Sequence, residues 1–132
     1  MEFNLKNKPE TRQMYETTFI VVPEIPESEY KAIAAKFEKL IKDREGKIIN
    51  IEHWGQMKFA YPIGRQTSGY YCYIEYSSPG NLIGKLEQEF GYDEKVIRYL
   101  TVKLDKHAVE YNNKRRNGEF SRNKTRETQN QN

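Results

Sequence analysis

Two histidines, one cysteine and a close pair of glutamates are the side chains whose types could support catalysis or metal binding. His53 and His107 have no partner at the spacing of a zinc site, and Cys72 is the only cysteine. Glu87 and Glu89 stand two positions apart in a helical pattern, so they point to different sides and cannot act as a paired acid and base. The sequence also has no Gly-rich phosphate loop. We therefore predict no enzyme activity, no metal site and no cofactor, and a buried structural role for the thiol.

Tyrosines in a strand-like run suggest a different chemistry, the stacking of nucleic-acid bases. The run from Tyr70 to Tyr76 approaches the second half of the third-strand signature of RNA-recognition domains, in which exposed rings stack on bases. The first half, a basic residue followed by glycine, is missing. One hypothesis is therefore a regulator that binds single-stranded RNA through Tyr71 and Tyr73, and the alternative is that these rings pack within a sheet.

The charge is unevenly distributed along the 132 residues, of which 36% are hydrophobic and 31% charged. Residues 14 to 104 carry 12 basic and 13 acidic side chains, whereas residues 105 to 132 carry 7 and 4. The nearly neutral part lacks the positive field of a free-standing nucleic-acid binder, so contacts with a polyanion must come from local patches or from the tail. The composition predicts one folded domain with polar ends.

Hydrophobic periodicity predicts six elements in the order strand, helix, strand, strand, helix, strand. In chain order they are a strand over 15–22, a helix from Ser28 that stops before Gly46, a strand over 47–63, a strand over 70–76, a helix after Ser78 that ends near Gly91, and a strand over 96–104. The first helix shows apolar residues at three- and four-residue spacing, which is typical of a helix with one buried face.

This order predicts an α+β fold of the ferredoxin-like split βαβ type (βαββαβ), with a four-stranded antiparallel sheet and two helices on one face. The other sheet face is then left for solvent or a partner. In the usual strand order the second strand lies at an edge. Pro62 cannot donate a ladder hydrogen bond and Gly55 favours a bulge, and both suit an edge strand.

The stretch from Gly55 to Arg65, GQMKFAYPIGR, resembles the signature of the bacterial small-subunit ribosomal protein S-six family. That signature has a glycine, basic residues, Leu-Ala-Tyr-Pro-Ile and a further basic residue. In this sequence Met57 replaces a basic residue and Phe59 replaces the leucine. The resemblance covers residues 14 to 107. Further residues resemble the family at the corresponding positions of the sequence: Tyr15-Glu16, Pro23, Glu45-Gly46-Lys47, Gly69-Tyr70 and Val96-Ile97-Arg98.

The resemblance implies a structural protein without enzyme activity that takes part in translation. Members of the family bind the central domain of small-subunit rRNA together with the S-eighteen ribosomal protein, using the sheet edge, the open face and the C-terminal tail. By this resemblance the expected RNA contacts are Lys58, Arg65 and Arg98. The tail differs from the acidic tails of some relatives, and its basic residues Lys114, Arg115 and Arg116 are further expected RNA contacts. The expected edge strand for the partner protein carries Trp54, Phe59 and Tyr61. A module that pairs only with protein through this strand is a weaker alternative.

The expected organisation has three parts: an N-terminal extension over residues 1–13, a ferredoxin-like domain over 14–107, and a basic disordered tail over 108–132. The tail also carries Arg122, Lys124 and Arg126, which could approach RNA. No apolar run has the length of a membrane span and the first 13 residues do not resemble a signal peptide, so we expect a cytoplasmic protein with neither a membrane partner nor a small-molecule substrate.

Overall fold

The computed structural model describes residues 12–118, which form four strands and three helices. In chain order the elements are β1 (Arg12–Val21), α1 (Glu27–Asp43), β2 (Lys47–Ile63), β3 (Gln66–Pro79), α2 (Asn81–Tyr92), β4 (Val96–Leu104) and α3 (Lys106–Arg116). The bounds of β2 and β4 agree with those predicted from the sequence. β3 is longer than predicted, because it begins directly after a short turn at Gly64 and Arg65.

The strands form one antiparallel sheet in the order β2-β3-β1-β4. This order confirms the ferredoxin-like split βαβ fold, with β2 at one edge and β4 at the other. Phe19 of β1 packs on Phe37 of α1 and Phe90 of α2, so both helices cover the same sheet face. The opposite face, called the open face below, carries the alternate residues of each strand.

Glycine at position 55 produces the bulge that the sequence predicts. Gly55 has a φ of 77°, and the β2–β3 register shifts between His53 and Gly55. A second register shift lies between Ile48 and Asn50. This shift separates Ile49 from the core, whereas Ile48 and Ile51 pack against it. Simple alternation along β2 would place Ile49 and Ile51 on one face, but they lie on opposite faces, because one extra residue inverts the alternation.

The core lies between the sheet and the helices α1 and α2. Its largest fully buried side chains include Tyr30, Phe37, Tyr76 and Phe90, and Tyr30 stacks on Tyr70 with ring centroids 4.8 Å apart. Cys72 is fully buried within the same core, which confirms the predicted structural thiol. Burial raises the pKa of Cys72 to about 11, so the thiol stays protonated and unreactive at neutral pH.

The C-terminal end of the domain differs from the prediction. We expected a disordered tail from residue 108, but residues up to Arg116 form α3, in which the Asp105 side chain accepts a hydrogen bond from the Ala108 amide at 2.8 Å. Such a cap satisfies a backbone donor that the helix itself leaves unpaired. The remaining tail, with Arg122, Lys124 and Arg126, lies outside the described residues.

Other boundaries also shift. β1 begins at Arg12, within the segment that we assigned to an N-terminal extension, and residues 1–11 of that extension lie outside the described part of the chain. The first two helices do not begin at Ser28 and directly after Ser78 as expected. Their N-cap residues are Pro26 and Gly80, neither of which forms a side-chain hydrogen bond at the cap. The start of α1 instead has backbone bonds from residues 29 and 30 to the Pro26 carbonyl.

Candidate RNA and protein interface

The β2–β3 hairpin extends from the bulge at Gly55 and carries two of the predicted RNA contacts. Lys58 pairs with Ser68 across the hairpin, and Arg65 occupies the turn. Both side chains are exposed, and neither forms an ion pair with any residue between 12 and 118. Their positive charges are therefore available to an external anion, as a phosphate contact requires.

The residues predicted to meet a partner protein lie along the same edge strand. Trp54 is 46% exposed and Tyr61 is 81% exposed, while Phe59 is half-buried against the ring of Tyr71. Met57 adds a further exposed apolar side chain. Exposed aromatic and methionine side chains are typical of protein interfaces, so this hairpin combines an apolar surface with two unpaired cations.

Arg98 lies away from the hairpin. It is on β4, at the opposite edge of the sheet, and its register partner on β1 is Ile20. Ile20 pairs in turn with Tyr71, and Tyr71 pairs with Gly55. Three strand spacings therefore separate Arg98 from β2, which is roughly 14 Å. The structure brings Lys58 and Arg65 together on one hairpin and leaves Arg98 as a separate exposed cation.

The three predicted cations of the tail divide into two groups. Arg115 binds Glu52 of β2 at 2.9 Å and 3.5 Å, and Arg116 binds Glu75 of β3 at 2.6 Å. Lys114 is exposed and has no ion pair among the described residues. In this arrangement the two arginines neutralise the protein's own sheet, and only Lys114 remains available to RNA.

Carboxylates on the open face were not identified as functional residues from the sequence. Glu16, Glu52 and Glu75 lie on three neighbouring strands, and arginines of α3 bind two of them, Glu52 and Glu75. The Tyr73 hydroxyl donates to Glu16 at 2.6 Å and accepts a longer 3.4 Å bond from Asn112 of α3. In the sequence, Glu75 interrupts the apolar and aromatic run from Tyr70 to Tyr76, most of which is buried in the structure. An acidic residue is rarely buried without a cationic partner, so its position in this run was the available sequence signal.

Burial and the arginines shift the pKa values of these carboxylates in opposite directions. Burial alone would raise the pKa of Glu52, but hydrogen bonds from Arg115, Trp54 and Asn50 outweigh it and hold that pKa below its ordinary value. Burial, helped by the negative charge of Glu16, raises the pKa of Glu75 despite the attraction and the hydrogen bond of Arg116. Glu52 is thus a firmly ionised acceptor, whereas the ionised form of Glu75 is disfavoured by its surroundings.

The geometry does not favour base stacking on Tyr71 and Tyr73. Tyr73 is 6% exposed, stacks on Trp54 with centroids 6.1 Å apart, and lies beneath the guanidinium of Arg115. Tyr71 is half-buried between Trp54 and Phe59. Neither ring presents a free face of the kind that an RNA-recognition domain uses, because protein groups already occupy them.

Features of catalytic or metal sites do not assemble in the described residues either. His53 accepts or donates a 2.6 Å hydrogen bond with Tyr30 and is packed edge-on against its ring, which is a structural contact. Between residues 12 and 118 no group of three His, Cys, Asp or Glu side chains is placed to hold a metal ion. Over the same range no helix is long and apolar enough to cross a membrane.

Comparisons with known proteins agree with this geometry. The profile of the family described as Ribosomal protein S6 matches residues 14–103. The small ribosomal subunit protein bS6 of Parabacteroides distasonis is 42% identical over 113 residues, which cover 86% of this chain and 96% of that protein. The protein of the same name from Phocaeicola vulgatus is 45% identical over 103 residues, covering 78% and 90%.

A solved structure has the same architecture. The crystal structure of 30S ribosomal protein S6 from Thermotoga maritima aligns with a TM-score of 0.69 and 29% identity, and the match covers 82% of this chain and 98% of that one. These relatives are structural ribosomal proteins, which confirms the expectation that the chain is not an enzyme. The chain belongs to the ribosomal protein S6 family, the S-six family that its hairpin motif resembles.

Proposed function

We propose that this chain is a structural constituent of the small ribosomal subunit in the bacterial cytoplasm, where it binds the central domain of small-subunit rRNA together with the S-eighteen ribosomal protein. The observation that carries the proposal is the β2–β3 hairpin, which holds the family motif. Lys58 and Arg65 are exposed there without an internal ion pair among the described residues. Trp54, Phe59 and Tyr61 present an aromatic surface beside them.

In this proposal the hairpin has two roles. The cations contact phosphates, which positions the RNA without reading its sequence. The aromatic edge packs against the partner protein, whose binding removes Trp54 and Tyr61 from water. Arg98 contacts RNA from the far edge of the sheet, and Lys114 does so from α3. We assign no RNA contact to Arg115 and Arg116 while α3 stays docked, since their charges face Glu52 and Glu75.

Salt dependence of assembly tests the hairpin cations. For the double variant K58Q/R65Q we expect the slope of log affinity against log salt, measured with rRNA and the S-eighteen protein, to fall by roughly one for each lost phosphate contact. The matched control is K39Q, because Lys39 lies on α1 and pairs with Asp43. An unchanged slope in K58Q/R65Q would remove the hairpin cations from the RNA interface.

The cellular location tests the proposal as a whole. In a sucrose gradient at moderate salt, the native protein is expected in the small-subunit fractions. Its absence from those fractions would refute the proposed function, regardless of how the hairpin variants behave. Removal of the aromatic edge by Trp54→Ala and Tyr61→Ala is expected to lower incorporation together with the partner protein while leaving the fold intact, since Tyr61 is 81% exposed and Trp54, which is 46% exposed, lies outside the core cluster.

A further inference from the structure

We propose that a second copy of this chain docks on the outer edge of β4, so that two four-stranded antiparallel sheets join into one continuous sheet around a two-fold axis at Leu100. The surface is called the β4 edge below and consists of β4 and the charged residues directly before and after it. It lies at the opposite side of the sheet from the β2–β3 hairpin. The dimer therefore adds an interface that the contact with the partner protein does not use.

The β4 edge is open in the folded chain. β4 stands last in the order β2-β3-β1-β4, so no strand pairs with its outer side among residues 12–118. α3 follows directly after β4, but its arginines reach Glu52 and Glu75 across the open face, and the helix thus turns inward from the edge. The unpaired backbone groups of an edge strand are a template for a further strand.

The two edges of the sheet differ in the features that prevent such pairing. β2 contains Pro62 and the bulge at Gly55, and both blunt an edge. β4 contains neither proline nor glycine, and it pairs with β1 without interruption from Arg98 to Leu104. β4 therefore keeps the regular geometry that an added strand needs.

Apolar side chains lie on both sides of the β4 edge. Leu100 is 63% exposed and Val102 is 39% exposed, and alternation places both on the open face. Tyr99 points to the opposite face, where its ring stacks on Phe90 with centroids 5.2 Å apart, yet it remains 37% exposed. An added strand contacts side chains on both faces of its neighbour. The β4 edge thus offers apolar area as well as hydrogen bonds to a second strand.

Two-fold symmetry and charge together define how the two strands align. In an antiparallel pair the residues directly opposite each other lie on the same sheet face, so the axis must pass beside a residue that faces its own copy. When that residue is Leu100, Lys95 lies opposite Asp105 of the second copy, and Glu94 lies opposite Lys106. All four charged side chains are exposed, and Glu94 and Lys106 form no ion pair in the described part of the chain. Opposite charges therefore meet at both ends of the paired strands.

The neighbouring alignments lack this match of charges. With Tyr99 on the axis, Lys95 lies opposite Lys103 of the second copy. With Thr101 on the axis, no opposite charges face each other. Like charges directly opposite destabilise a pair of strands, so the alignment centred on Leu100 is favoured.

Dimerisation through β4 leaves the other edge of each sheet exposed. The hairpins with Lys58 and Arg65 then stand at the two outer edges of the joined sheet. Arg98 lies on β4 itself, so the dimer and the RNA contact proposed for Arg98 share one surface. The dimer is therefore a state of the chain that is free of RNA. A contact between two strands of 9 residues is small, and we expect a dissociation constant between roughly 10 µM and 1 mM.

Sedimentation velocity of the full chain tests self-association directly. At low salt, from roughly 10 µM to 1 mM protein, the wild type is expected to shift from monomer to dimer. L100K brings two ammonium groups together at the axis and is expected to weaken the dimer at least about tenfold. The matched control M57K adds the same charge at an exposed apolar residue of β2 and is expected to leave the dimer unchanged. A wild type that stays monomeric over this range would overturn the proposal, as would a dimer that M57K weakens and L100K does not.

Disulfide formation in single-cysteine substitutions tests the alignment. In L100C the new thiol faces its own copy, with Cα atoms roughly 4.5 to 5.5 Å apart, which is within the reach of a disulfide. In V102C the two new thiols are four residues apart along the strands, which is roughly 14 Å. A mild oxidant is expected to link L100C into a covalent dimer and to leave V102C monomeric, while Cys72 is fully buried and does not react. Equal linkage of both variants, or linkage of neither, would overturn the two-fold axis at Leu100.

Mixing of two charge variants tests the contacts beside β4. E94K alone and K106E alone bring like charges together, so each is expected to dimerise more weakly than the wild type. An equimolar mixture of the two forms a dimer with opposite charges at both contacts and is expected to associate more strongly than either variant alone. A mixture that associates no better than its components would contradict the pairing of Glu94 with Lys106.

Discussion

Replacement of Arg116 by alanine is the sharpest test of how α3 and the sheet depend on each other. Arg116 is the only described cation that binds Glu75, whose side chain is fully buried and whose second oxygen is already unpartnered. R116A leaves a buried carboxylate without its counter-charge. In a closed interior the loss of one partner of such a pair costs about 3 to 5 kcal/mol.

The loss of stability in R116A is expected to be smaller than in a closed interior, because Glu75 lies at the open face. Once α3 leaves the sheet, water reaches Glu75, so the penalty cannot exceed the free energy that holds α3 in place. For a short helix held by a few polar contacts we expect about 1 to 2 kcal/mol for R116A. For the neighbouring R115A we expect less than about 1 kcal/mol, because Glu52 is partly exposed and keeps bonds from Trp54 and Asn50.

Urea unfolding of the two variants, followed by Trp54 fluorescence, measures both penalties. The folded-state pKa of Glu75 lies above its ordinary value near 4.5, so its stabilising contribution is complete below that pH and is lost as pH rises through the folded pKa. Loss of Arg116 raises the folded pKa further, and the R116A penalty therefore grows from near pH 4.5 towards neutrality. R116A/E75Q, which cannot titrate at this position, is the control and is expected to show no such growth. A penalty for R116A no larger than that for R115A, or one independent of pH, would refute the reasoning.

Two further predictions concern the scaffold. Ala at position 55 is expected to lower the free energy of unfolding by about 1 to 2 kcal/mol, because Gly55 has a φ of 77° and no atom lies near an added Cβ. The control is Gly84→Ala, because Gly84 lies in a helix and an added Cβ there also meets no atom. This control is expected to raise the free energy of unfolding by about 0.5 to 1 kcal/mol. Equal effects of the two substitutions would exclude backbone strain at position 55. Thr17→Val removes 2.8 Å bonds to Tyr76 and Thr101 and should cost about 1 to 3 kcal/mol in urea unfolding. A neutral T17V would show that these bonds contribute no stability.

Much of the fold could be predicted from local patterns. The alternation and β-branched content of β2 and β4 placed both strands with their observed bounds, and Gly55 marked the bulge. The bulge near Ile49 was not predictable, because no glycine accompanies it and nothing local shows that a residue is skipped in pairing. Helix starts were also misplaced, since the cap residues Pro26 and Gly80 make no side-chain bond for a sequence pattern to indicate.

The hairpin cations could be found by their proximity in sequence, because Lys58 and Arg65 belong to one supersecondary unit and one family motif. The three carboxylates of the open face could not be found in this way. Glu16, Glu52 and Glu75 are separated by more than 20 residues from one another, and only the order β2-β3-β1 brings them together. The tail shows the same limit: its polar composition predicts disorder, yet its residues up to Arg116 belong to α3, whose arginines bind carboxylates supplied by the sheet.

The sequence by itself determined the order of the first six elements, the split βαβ fold, the edge hairpin and the family, since each depends on local periodicity or on a contiguous motif. Only the tertiary structure decided which cations are paired with carboxylates of the same chain and which are available to an external anion. Arg115 and Arg116 stand beside Lys114 in the chain and look equivalent to it, but they face carboxylates from two other strands. Charge pairing depends on distances in space, and the chain sets those distances only after the sheet has assembled.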